Sequence, residues 1–133
     1  MANAMYPSAK QNLLSGAFNY SSADIRVILV DLADYTYNSA HDFLNDVAAG
    51  ARVATSNALD SPTITNGTFD AADEVLGSVT GDEAEALILY QHTGTEGTSA
   101  LIVYFDTGIT GAPVTPNGGD ITVQWNASGI FAL

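Results

Sequence analysis

The chain has 133 residues, 47% of them apolar and only 14% charged, with fifteen acidic residues against three basic ones and a formal charge of −12. No residue after Arg52 is basic, so proteins that grip nucleic-acid phosphates, which need cations to displace counterions, are excluded as a class. There is no cysteine for a disulfide, a zinc thiolate or a thiol nucleophile, and no apolar run reaches the ~20 residues of a membrane helix.

In chain order, the first predicted element is a short helix within Tyr6 to Phe18. Pro7 and Ser8 open it, Leu13, Leu14 and Phe18 share helical spacing, and Gly16 stands near its end. Asp24 to Asp31 is β-branched and apolar on both faces, as expected of an interior strand. After a loop at Asp34 to Asn38, a second helix is predicted from Ser39 to Ala49, with Ser39 as cap, Phe43, Leu44 and Val47 on one face, and Gly50 as stop.

Arg52 to Leu59 and Pro62 to Phe69 read as strands around a turn at Asp60-Ser61-Pro62, and Glu74 to Val79 as another. Ala86 to Gln91 and Ala100 to Phe105 are the most apolar strands, joined by a loop rich in Gly and Thr. Thr107 to Gly119, with four glycines and two prolines, is a turn-rich connection. Ile121 to Trp125 alternates, with Ile121, Val123 and Trp125 predicted inward, and Asn126 to Gly129 turns the chain into a terminal strand or docked tail at Ile130 to Leu133. The pattern predicts a mainly β (α+β) chain: one domain, 1–133, built as an antiparallel β-sandwich or barrel of six to eight short strands with two short helices, residues 1–20 serving as an arm towards neighbours.

Catalytic signals are weak. His41-Asp42 beside Ser39 suggests a triad, but triad members come from different elements and no Gly-x-Ser-x-Gly elbow occurs, so Asp42 reads as a helix first-turn acid. His92 reads as a polar strand end, because two histidines without cysteine do not complete a zinc site. The acidic groups Asp70-Asp73-Glu74 and Asp82-Glu83-Glu85 offer oxygens for calcium, but not at EF-hand spacing, and read as a solvated rim. The glycines match no phosphate or dinucleotide loop and read as turn formers. Three sequons, at Asn19, Asn66 and Asn126, read as turn chemistry because no secretory signal accompanies them. No catalytic residue, metal or cofactor is expected.

Two stretches carry a resemblance. Leu101-Ile102-Val103-Tyr104-Phe105-Asp106-Thr107 and Gly111-Ala112-Pro113-Val114-Thr115-Pro116-Asn117-Gly118-Gly119-Asp120-Ile121-Thr122-Val123 resemble a family of small tailed-bacteriophage virion proteins. Ile28-Leu29-Val30-Asp31, Asp34-Tyr35-Thr36-Tyr37, Ala40-His41-Asp42-Phe43-Leu44 and Ala49-Gly50-Ala51-Arg52-Val53-Ala54 extend it over nearly the whole chain. The resemblance implies a non-enzymatic structural role, foremost a decoration (cement) protein on the capsid exterior, made in the host cytoplasm. Its implied partners are the major capsid protein and copies of itself, with neither nucleic acid nor membrane. A tail-tube, adaptor or fibre-associated subunit, and a glycan- or calcium-binding module, are the alternatives. Strong negative charge suits a protein held soluble in many copies.

Tyrosine is favoured at protein contacts because it presents a large area at low entropy cost. Tyr6, Lys10, Leu14, Phe18, Tyr20, Tyr35 and Tyr37 are therefore the expected partner-binding residues, with ordinary half-buried packing the alternative for the aromatic ones. Lys10, Arg26 and Arg52 are the available cations for an acidic neighbour.

Overall fold

The computed structural model describes residues 3–108 and 112–133. The protein is mainly β, with antiparallel sheets and one α-helix among the described residues. The principal sheet has five strands in the order β1 (Ala4–Met5), β8 (Leu101–Phe105), β7 (Ala86–Gln91), β2 (Ile25–Val30) and β3 (Arg52–Thr55). β2 and β7 are central and pair along their full length, from Ile25 opposite Gln91 to Val30 opposite Ala86. Their continuous apolar sequences follow from burial on both faces: Val27, Ile28, Leu29, Val30, Leu87, Ile88 and Leu89 are all inaccessible to solvent.

A three-stranded sheet orders β10 (Phe131–Ala132), β5 (Thr68–Asp70) and β4 (Thr63–Thr65), and a two-stranded ribbon pairs β6 (Glu74–Leu76) with β9 (Ile121–Val123). Ala84 and Val114 form a further bridge, which ties the turn-rich connection down; its residues 109–111 lie outside the described residues.

The single strand expected over Pro62 to Phe69 is a hairpin. Asn66 and Gly67 have φ of 51° and 79°, and Thr65 lies opposite Thr68. That is the two-residue Asn-Gly turn whose twist matches the flanking strands. The other two sequon asparagines also serve turns, with Asn19 Oδ1 accepting the Ser21 N–H and Asn126 Oδ1 the Ser128 N–H.

α1 (Pro7–Leu14) lies where the sequence places the first helix, with Pro7 in its first turn. Gly16, at φ 72°, carries the chain out of it. The second predicted helix does not form. Residues 39–49 instead hold one 3-10 turn at Leu44–Asp46, and a second follows at Ala49–Ala51. The cause is competition for backbone groups. Leu44 N–H donates to Ser99 C=O at 2.8 Å, and Leu101 N–H donates to Asp42 C=O at 2.9 Å. Phe43 bridges Ala100, and the Asp46 carboxylate accepts the Asp42 N–H at 2.9 Å. A helix would need those same groups for itself. Leu44 and Val47 are still buried, so the apolar spacing marks the core side without marking a helix.

Candidate functional site

The expected partner-binding residues separate by burial. Tyr6, Tyr20 and Tyr35 are core residues, each no more than 7% exposed. Phe18 and Tyr37 are half-buried, and Lys10 is exposed. Leu14 is 90% exposed, the most exposed of the large apolar side chains among the described residues. Lys10 and Leu14 stand one helical turn apart on α1, so they share a face.

The buried tyrosines fasten the N-terminal segment to the body. β1 pairs with β8, and Tyr6 N–H donates to Ile102 C=O at 2.9 Å. The Tyr6 and Tyr35 hydroxyls are 2.8 Å apart, and Tyr35 in turn bonds His41 Nδ1 at 2.9 Å. Tyr37 stacks at a tilt between Tyr6 and Tyr104, 5.2 Å from each ring. Burial pushes the Tyr6 and Tyr35 phenols above their ordinary value, and pushes Tyr104, helped by neighbouring Asp106, up to about 12. These phenols stay neutral through the physiological range and serve as hydrogen-bonding core. Within the arm expected at residues 1–20, the described residues Tyr6, Ala9 and Tyr20 anchor the segment in the core, while Lys10 and Leu14 are exposed on α1.

The two arginines are committed internally. Arg26 grips Asp24 through Nε and Nη2, each at 3.0 Å, and holds that carboxyl below its usual range. Arg52 donates to Val47 C=O, Leu44 C=O and, at 2.6 Å, Glu96. It therefore clamps the 3-10 turn at Leu44–Asp46 to the loop carrying Glu96. Among the described residues Lys10 makes no ion pair, which leaves it as the uncommitted cation.

The residues of the suggested triad have separate duties. His41 bonds Tyr35, and the backbone of Asp42 pairs with Leu101 and Asp46. Asp42 is not a helix first-turn acid, because no helix starts there. His92 Nδ1 lies 3.1 Å from the Tyr90 hydroxyl at a strand end.

The acidic groups are re-sorted by the fold. Asp70 caps the Ala71 N–H, Asp73 accepts the Trp125 N–H, and Glu85 accepts the Leu32 N–H. Glu83 accepts the Thr115 hydroxyl. Asp82 instead joins Asp31 and Asp34, with one oxygen of each within 4.8 Å of the others. Calcium takes six to eight oxygens, of which the three carboxylates offer at least three.

Sequence reasoning missed a groove at the C-terminal end. It has a volume of about 490 Å³ and is lined by Phe105, Trp125 and Phe131 together with Gln124, Asn126 and Ser128. Trp125 was expected inward, but β9 ends at Val123 and the tryptophan is only half-buried. Its indole N–H donates to Ala72 C=O at 3.1 Å, which fixes the ring. The one available signal was the chain's single tryptophan placed directly before an Asn-Ala-Ser turn.

Compared with known proteins, the chain matches no protein-family model and no curated protein.

Proposed function

We propose that this protein is a non-enzymatic structural component of a tailed-bacteriophage virion, decorating the outer capsid surface in many copies and docking through α1. The observation that carries this reading is the Lys10–Leu14 face: the uncommitted cation stands one turn from a side chain that is 90% exposed. An apolar contact flanked by one positive charge suits a shell whose outer surface is acidic, where the rest of this −12 chain would be repelled. The internal commitment of Arg26 and Arg52 lowers further the capacity for phosphate contact and favours the outside of a DNA-filled shell over its interior.

The test uses point variants, because truncating the N-terminus would also remove the buried Tyr6. Lys10→Glu combined with Leu14→Ser should abolish co-sedimentation with undecorated capsids while leaving the melting temperature unchanged. Undiminished binding by that variant removes α1 as the docking face. Imaging labelled protein at the tail instead of over the head would assign the chain to the tail tube, adaptor or fibre.

A further inference from the structure

We propose that the groove beside Trp125 is a binding site for a neutral saccharide. Its volume of about 490 Å³ lies in the range of small-molecule sites, roughly 300–1,000 Å³. Three half-buried aromatic rings line it, from Phe105 at the end of β8, Trp125 after β9 and Phe131 in β10. Half-buried aromatic rings lining a groove offer the kind of apolar surface that the C–H face of a pyranose packs against.

The polar lining supplies the complementary half. Among the described residues the Gln124 amide, Asn126 Nδ2 and the Ser128 hydroxyl have no hydrogen-bond partner, while Asn126 Oδ1 accepts the Ser128 N–H. Amides and hydroxyls both donate and accept, as do sugar hydroxyls. A wholly apolar ligand would cover these groups without satisfying them, at a cost of about 1–3 kcal/mol for each one buried.

Charge narrows the choice. Among the described residues no Asp, Glu, Lys or Arg lines the groove, although the chain carries eighteen such residues. A carboxylated or phosphorylated ligand would find no counter-charge there and would meet a field of −12. Nucleic acid, which also stacks on aromatic rings, is disfavoured on the same ground. No residue of α1 lines the groove, so such binding does not rest on docking through α1.

Trp125 is the only tryptophan, so its emission reports the groove directly. The folded full chain is titrated with cellotriose, maltotriose and triacetylchitotriose, with trigalacturonate and adenosine as comparators. At least one neutral trisaccharide should give a saturable change in emission below about 10 mM, well above the ~1 mM of a weak site. Trigalacturonate should bind at least about tenfold more weakly.

Gln124→Ala removes an exposed side chain that has no hydrogen-bond partner among the described residues, so the fold survives. It should weaken binding about 2- to 10-fold, as expected for one lost neutral hydrogen bond. No saturable response to any of the three neutral sugars would overturn the proposal. So would a response unaltered in Gln124→Ala together with Ser128→Ala, or saturation by adenosine alone.

Discussion

The hydroxyls of Tyr6 and Tyr35 lie 2.8 Å apart in the core, joining the residue that opens α1 to the loop after β2. Tyr6 is fully buried, with its ring against Tyr37. Tyr6→Phe removes one hydroxyl but leaves Tyr35 its bond to His41. The expected loss is about 0.5–1.5 kcal/mol, that of a single neutral hydrogen bond. Tyr6→Ala also empties the site and should cost about 3–5 kcal/mol, the range for aromatic truncation. Urea unfolding of the three proteins checks both numbers. Equal stability of Tyr6→Ala and wild type would mean that the N-terminal segment is not part of the core.

Tyr20 offers the opposite case. It packs against Phe18, Phe69 and Phe131, yet its buried hydroxyl has no hydrogen-bond partner among the described residues. Such a group costs about 1–3 kcal/mol in desolvation. Tyr20→Phe keeps the ring and discards the unsatisfied atom, so stability should rise or stay level. A clear fall in the melting temperature would show that the hydroxyl has a partner in solution.

The difference between these two tyrosines marks where sequence reading stops. Alternation and apolar runs reveal β2, β7 and β8 because burial on both faces leaves a direct imprint on composition. Pro7 and Gly16 likewise bracket α1 through their own backbone preferences. The failed helix at residues 39–49 depends on the chain near Ser99 to Leu101, more than fifty residues away, and no local pattern encodes that pairing. Tyr6, Tyr20 and Tyr35 have the composition of a contact surface, but the same amphipathic ring serves a hydrogen-bonded core equally well. The groove was illegible for a related reason. It collects Phe105, Trp125 and Phe131 from three separate segments, and only the three-dimensional arrangement brings them to one groove.

Glu74 should make stability depend on pH in an unusual direction. It is 7% exposed, and burial, reinforced by Asp60, raises its pKa above the ordinary 4.5. A raised folded-state value favours folding fully below the unfolded pKa, and the benefit is lost as pH climbs through the folded pKa. Asp24 and Asp46 behave oppositely. Their values are held below 3.8, by Arg26 for Asp24 and by backbone N–H groups for Asp46, so their contribution disappears only on acidification past that point. The two windows are therefore separate. Glu74→Gln, measured against wild type, should gain melting temperature between pH 4.5 and pH 7. A difference that stays constant over that interval would place the Glu74 carboxyl in contact with water.

Gly129 closes the turn that returns the chain to β10. Its φ is 116°, a conformation side chains rarely adopt, and a Cβ there would lie 2.3 Å from Thr68 Cγ2 and 3.3 Å from Phe69 C=O. The Thr68 methyl can rotate aside, but the backbone oxygen cannot move without disturbing the bond from Ile130 N–H to Phe69 C=O. Gly129→Ala should therefore cost about 1–3 kcal/mol, the usual range for a residue forced into a sparsely populated region. Gly97→Ala is the control, because a Cβ there meets open space and φ is not positive; its effect should stay within about 0.5 kcal/mol. Since Gly129 also borders the Trp125 groove, the damaging variant should shift tryptophan emission and the control should not. Equal melting temperatures for the two variants would mean that the turn at Asn126 to Gly129 adopts another conformation in solution.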